Sequence, residues 1–138
     1  MVMVPIKDGL FTEPLVPLEQ VKLIGSKCQS CGEVSLGKRA DCPNCAGDKL
    51  KTINLSRRGK LWSYTVIRNR PPGDYKGPEP FVPFGLGLVE LPEGIRVVAP
   101  IDFDVDKLQV GMGLELDVYK LYQNEQGNDV LAFKFKPV

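Results

Sequence analysis

Residues 28–45 read Cys28-Gln-Ser-Cys31-Gly-Glu-Val-Ser-Leu-Gly-Lys-Arg-Ala-Asp-Cys42-Pro-Asn-Cys45, and they hold every cysteine of a 138-residue chain. Two Cys-x2-Cys pairs with ten residues between them make two knuckles, each aiming two thiolates at one point. That is the donor set of a closed tetrahedral zinc site. Gly32 follows the first knuckle, where tight backbone beside a metal favours a residue without a Cβ, and Pro43 stiffens the second. Four thiolates fill the tetrahedron, so the expected metal is a structural staple with no position left for an activated water. Other uses of cysteine fit less well. Disulfides suit secreted chains, but residues 1–10 carry Pro5, Lys7 and Asp8 and lack the apolar stretch of a secretory signal. A redox centre needs only one Cys-x-x-Cys, and the connection between the knuckles is short for a rubredoxin-like iron site.

Working outward, residues 21–27 (VKLIGSK) enter the first knuckle as a short strand, 33–36 leave it, and 50–55 (LKTINL) follow the second. Three short strands around two knuckles make residues 21–55 a zinc ribbon, whose small core draws much of its folding free energy from the metal. Upstream, Pro5, Pro14 and Pro17 disfavour a long helix or a central strand in residues 1–20. The same segment carries Val4, Ile6, Leu10, Phe11, Leu15, Val16 and Leu18, too apolar for a solvated tail. It reads as a Pro-rich arm lying on its own domain or on a partner.

Downstream the period becomes extended and alternating. Residues 60–67, 84–91, 95–99, 113–121 and 129–135 read as five strands, with a Pro92-Glu93-Gly94 turn making a hairpin of the second and third. Residues 102–112 read as a loop or a single helical turn. Five strands with this punctuation make residues 56–138 a small Greek-key barrel of OB type, so the chain as a whole is mainly β. One of Trp62 and Tyr64 is expected in the barrel core. Residues 68–83 form a connection too long to be a simple turn; it contains Tyr75 and Phe81 with the bases Arg68, Arg70 and Lys76. Such a loop either carries function or covers one end of the barrel.

Composition narrows the chemistry. The 43% hydrophobic and 25% charged residues are ordinary for a globular domain, and no run approaches the roughly 20 apolar residues of a membrane span. Cysteines kept as thiolates without a secretion signal point to the cytoplasm. The chain has no histidine, which removes the commonest general base and the usual partner of a nucleophilic Ser or Cys. With every thiol committed to metal, no catalytic residue is expected.

The chain also resembles a known family. The tetracysteine ribbon runs straight into a barrel marked by RRGKLWSYTVI (57–67), PFGLGLVELPEGIRVVAP (83–100), VGM (110–112) and FKFKPV (133–138). These motifs are similar to those of the acyl-CoA-associated OB-fold family once labelled domain of unknown function thirty-five, and the likeness covers residues from about 11 to 138. The family often places prolines just before the second knuckle, where this chain has Gly37 and Lys38 but keeps Arg39. The Pro-rich N terminus and the loop are similar to the branch that supplies small zinc-finger subunits to 2-benzoylsuccinyl-CoA thiolases of anaerobic toluene breakdown.

The resemblance implies a non-catalytic subunit bound to a thiolase-superfamily protein or a hydratase. Thiolytic cleavage would then belong to the partner, with two copies of each chain as the implied assembly. It also implies that coenzyme A thioesters are the ligand of the complex. Arg57, Arg58, Lys60, Arg68, Arg70 and Lys76 are then candidates to pair with CoA phosphates, a task suited to basic forks. Tyr75, Phe81 and Phe84 are candidates for an acyl channel or partner loop. Read singly, each base is equally a solvated surface charge. The competing reading is a nucleic-acid module, since OB barrels and ribbons both serve that purpose. A net charge of +1 and the acids Glu90, Glu93, Asp102, Asp104, Asp106, Glu115 and Asp117 oppose it.

Overall fold

The protein is described from a computed structural model covering residues 3–73, 75–78 and 80–138. Among these residues, nine strands form two sheets. The ribbon sheet is β2 (Ile24–Cys28), β3 (Val34–Leu36) and β4 (Leu50–Asn54), antiparallel in the order β3-β2-β4. The five barrel strands are β5 (Arg58–Ile67), β6 (Phe84–Glu90), β7 (Arg96–Ile101), β8 (Gly113–Gln123) and β9 (Asp129–Pro137). They run β9-β7-β6-β5-β8, and β8 pairs back onto β9 to close the barrel. Closure covers the edges of β8 and β9, which would otherwise invite aggregation, while β7 meets β9 only at Ile101. The connection over residues 102–112 contains one 3-10 turn, Val105–Lys107, and the Asp104 carboxylate accepts from the Asp106 amide at 3.0 Å.

Alternation builds the core. In β8, Leu114, Leu116 and Val118 point inward and are buried, whereas the alternate residues Glu115, Asp117 and Tyr119 do not reach the core. Leu61, Val89, Val97, Ala99, Ile101, Leu131 and Phe135 supply the inner faces of the other strands. The glycines of β6 make room for this filling. A Cβ on Gly85 would sit 2.6 Å from Leu108 Cδ1, and one on Gly87 would sit 2.6 Å from Leu61 Cδ1. Any larger residue there would overpack the barrel.

Ribbon and barrel share one core, because Leu23 and Leu55 join the same buried cluster as the barrel leucines. The N-terminal arm joins it too. β1 (Met3–Pro5) adds to β9 in parallel, with Val4 opposite Val130, and Leu10 and Phe11 are each 4% exposed. Of the two places open to the arm, its own domain is the one it occupies. Ile6 and Val16 remain exposed.

Neither Trp62 nor Tyr64 enters the core, contrary to expectation: they are 46% and 37% exposed. The register of β5 against β6 slips between Leu61 and Ser63, and this bulge puts Trp62 outside the regular alternation. Trp62 lies under the Arg96 guanidinium, 3.9 Å from its ring centre, while the Tyr64 hydroxyl donates to the Leu108 carbonyl at 3.2 Å. No helix among the described residues is long and apolar enough to cross a membrane.

Candidate metal centre and its surroundings

The four cysteines converge. Cys28 closes β2, Cys31 follows one turn later, and Cys42 and Cys45 come from the connection between β3 and β4. All four Sγ atoms lie within 4.8 Å of one another, with Cys28–Cys45 and Cys31–Cys42 each at 3.6 Å. A tetrahedron with Zn–S bonds of about 2.3 Å has edges of about 3.8 Å, so these donors fit a zinc ion with little adjustment.

Each knuckle is shaped by backbone hydrogen bonds. The Gly32 amide donates to the Cys28 carbonyl at 3.0 Å, and the Ala46 amide to the Cys42 carbonyl at 2.9 Å. Both donors have left-handed backbone, φ 80° at Gly32 and 63° at Ala46. The first knuckle uses the residue suited to this conformation; the second uses alanine at a cost. Asn44 reaches across, its amide donating to Cys42 Sγ at 3.3 Å and its side chain to Cys31 Sγ at 3.6 Å.

The sulfurs are electrostatically unequal. Backbone amides of Cys31 and then Ser30 bring the Cys28 thiol down to about 6, and the Glu33 amide lowers Cys31. At Cys45 the Gly47 amide also lowers the value, but the Cys28 and Cys31 sulfurs and desolvation outweigh it and push the thiol up to about 12. The first thiolates form readily and the last does not, unless a cation neutralises the set. Soft sulfur donors in a closed tetrahedral array suit zinc, which would hold the two knuckles together and leave no position for an activated water.

Just beyond the ribbon, two contacts fasten it to the barrel. The Glu93 carboxylate accepts from the amide and the hydroxyl of Ser56 at 3.0 and 2.6 Å. The half-buried Arg57 guanidinium donates to the carbonyls of Leu18, Val21 and Leu116, which belong to the arm, the ribbon entry and β8. Sequence reading placed Arg57 among the phosphate-binding bases, and the structure spends its donors inside the fold. No spacing signal marks these partners, which lie 36 to 59 residues away in the chain.

The remaining candidate bases fall into two groups. Arg58, paired with Glu115 at 3.4 Å, and exposed Lys60 stand at the start of β5. Arg68 and Arg70 follow its end, about 25 Å along the strand at 3.3 Å per residue, so the structure does not gather the six into one site. It does gather the loop group. Tyr75 stacks on Phe84 at 6.5 Å and meets Phe81 at 5.8 Å, and Phe81 meets Phe84 at 6.2 Å. The Arg70 guanidinium lies 5.6 Å from the Tyr75 ring centre and the Lys76 ammonium 4.7 Å from that of Tyr122. The loop therefore packs onto the outer face of the barrel. Beside it, Lys134 bridges Asp102 at 3.2 Å and Asp117 at 4.0 Å and lies over the Tyr119 ring at 4.5 Å. Burial raises the Tyr119 hydroxyl above its ordinary value. Sequence reading missed this cluster, although the outward parity of Tyr119 and Lys134 on neighbouring strands marks it.

Comparison with known proteins agrees with this architecture. Residues 17–51 match the family model for the ChsH2 rubredoxin-like zinc ribbon domain, and residues 52–118 that for the ChsH2 C-terminal OB-fold domain. A DUF35 domain-containing scaffold protein of Methanothermobacter thermautotrophicus is 37% identical over 86% of this chain and 89% of its own length. The benzoylsuccinyl-CoA thiolase subunit BbsA of Thauera aromatica is 28% identical over 84% of this chain and 76% of its own. Among solved structures, the Ltp2-ChsH2(DUF35) aldolase superposes with a TM-score of 0.62 at 25% identity, covering 84% of each chain.

Proposed function

The chain belongs to the ChsH2/DUF35 family of zinc-ribbon OB-fold proteins, and from that membership we propose that it is a non-catalytic accessory subunit of a thiolase-type acyl-CoA acyltransferase complex. Relatives named as subunits of a thiolase and an aldolase support a catalytic partner. The observation that carries the reading is the convergence of all four thiols on one centre in a chain without histidine. Thiolytic C–C cleavage needs a nucleophilic thiolate and a proton-transfer group, and both then come from the partner.

In this reading the chain organises the partner and helps to hold a CoA thioester, with 2-benzoylsuccinyl-CoA of anaerobic toluene degradation the candidate that the BbsA likeness favours. Arg68, Arg70 and Lys76 are the bases this reading assigns to its phosphates, with Arg58 and Lys60 as a separate group. Tyr75, Phe81 and Phe84 are the surface for the acyl end. Arg57 is left out, its donors being taken by backbone carbonyls. The complex carries two copies of each chain and works in the cytoplasm.

Co-expression with a thiolase-superfamily protein encoded beside it, followed by sizing and a thiolysis assay, tests the proposal. A complex with two copies of each chain is expected to turn over acyl-CoA, and this chain alone is not. Turnover by this chain with every trace of partner excluded would overturn it.

A further inference from the structure

A groove of about 640 Å³ runs between the ribbon and the barrel, lined by residues 33–36 on one side and 94–98 with Glu90 on the other. Both walls are sheet edges. β3 pairs only with β2, and β7 pairs with β6 along its length but meets β9 only at Ile101.

Antiparallel alternation decides which backbone groups are free. Cys28 donates to the Glu33 carbonyl and Gly37 to that of Ile24, so residues 33, 35 and 37 face β2. The amides and carbonyls of Val34 and Leu36 therefore point away from that sheet. Leu91 donates to the Ile95 carbonyl, which turns 95, 97 and 99 toward β6 and the backbone of Arg96 and Val98 outward. The residues that carry both sets of open groups line the same groove.

Other open edges carry the protections that natural sheets use. β4 has Lys51 within it and Lys49 just before it, and β1 ends in Pro5. The four open positions of the groove carry neither lysine nor proline. Its lining is apolar where a side chain would pack: Ile95 is buried, Val34 and Leu36 are half-buried, and Val98 is 58% exposed at the rim. The charge is unbalanced. Arg96 is taken by Glu90 at 3.2 Å, while exposed Glu33 has no cation partner among the described residues.

We propose that this groove receives an extended segment of the catalytic partner, which adds as a strand along these edges, lays apolar side chains on the lining and sets a Lys or Arg against Glu33. The inference rests on the accessory-subunit reading above and adds the surface through which the partner is held.

Backbone hydrogen exchange of the chain alone and in complex with the co-expressed thiolase-type subunit tests it. The amides of Val34, Leu36, Arg96 and Val98 are expected to exchange fast in the free chain and at least about tenfold more slowly in the complex. Those of Ser35, Val97 and Ala99 are expected to be slow in both. Val98→Pro removes one edge donor and no ladder bond, and Glu33→Gln removes the charge. Each should weaken binding by about tenfold, the second with a smaller salt dependence, while zinc content is kept. A complex whose edge amides stay fast, and which both variants form with unchanged affinity, overturns the groove and leaves the accessory reading standing. No complex at all sinks that reading and the groove together. Concentration-dependent protection of the four amides in the chain alone would make the occupant a second copy and overturn the proposed one.

Discussion

Glu93 holds Ser56 at two points, Oε1 accepting from its amide at 3.0 Å and Oε2 from its hydroxyl at 2.6 Å. Glu93 sits in the β6–β7 turn and Ser56 where the ribbon gives way to the barrel, so this pair locks the junction. Burial, the largest influence on the carboxyl, raises its pKa, but the hydroxyl and amide of Ser56 outweigh it and the net shift is downward. A depressed folded value means that the stabilisation is fully present above the ordinary carboxylate pKa and is lost as pH falls through the folded one. Glu93→Gln should therefore cost about 1.5–3 kcal/mol near neutral pH, the range for hydrogen bonds to a charged group. Urea unfolding of the two proteins from neutral pH downward should show that gap narrowing below the ordinary glutamate pKa of about 4.3. A gap independent of pH would show that the charge of Glu93 plays no part.

Arg57 is expected to behave as a structural clamp. Arg57→Ala leaves three carbonyls of the arm, ribbon entry and β8 without their donor, for a loss of about 2 kcal/mol or more in denaturant unfolding. Arg57→Lys should recover little, because an ammonium cannot reproduce the guanidinium fork. The neighbouring Arg58→Ala, which breaks an exposed pair with Glu115, should change stability by less than about 1 kcal/mol.

Metal analysis should give one zinc per chain, held by Cys28, Cys31, Cys42 and Cys45. Cys42→Ser should unfold the ribbon, since structural zinc in such units contributes on the order of 10 kcal/mol. Protons compete for the same sulfurs, so affinity should fall as pH is lowered. Cys45, pushed up to about 12, is the thiol most dependent on the metal for its ionisation. A zinc content well below one, or iron in its place, would contradict the assignment.

Ala46 carries the left-handed conformation that Gly32 carries in the first knuckle. Ala46→Gly should relieve about 1 kcal/mol of backbone strain, partly offset by the greater freedom of glycine in the unfolded chain. Zinc retention against a graded chelator is the measurement, and a variant that loses zinc sooner than the native chain contradicts the strain.

The loop from Arg68 to Pro83 is anchored on the barrel through Tyr75 and Phe84. If it covers acyl-CoA bound in the complex and excludes water, shortening it between Pro71 and Pro80 should lower thiolysis by the complex. Zinc content, folding and partner binding should be kept, since the flanking strands β5 and β6 stay whole. A shortened chain whose complex keeps full activity would reduce the loop to a barrel cover.

The cysteine spacing and the period-two alternation were enough to place the ribbon and five barrel strands. Both signals are local: a knuckle is closed within four residues, and a strand face repeats every second one. The same locality explains what could not be read. Whether the arm lay on its own domain was decided by pairing Val4 with Val130 and burying Leu10 and Phe11 against distant strands. Neither Trp62 nor Tyr64 took the core place expected of one of them, because β5 carries a bulge between Leu61 and Ser63 that depends on its partner strand.

The candidate bases show the same division. Composition identifies Arg57, Arg58, Lys60, Arg68, Arg70 and Lys76 as basic, but only packing assigns Arg57 to three carbonyls, Arg70 to Tyr75 and Lys76 to Tyr122. A long side chain can reach many partners, and the one it takes is set by which backbones the tertiary fold brings within hydrogen-bond range. The sequence by itself therefore determined the four cysteines that can hold a metal and the mainly β architecture. Tertiary structure decided how the ribbon is clasped to the barrel and which sheet edges remain open, because both depend on contacts between residues far apart in the chain.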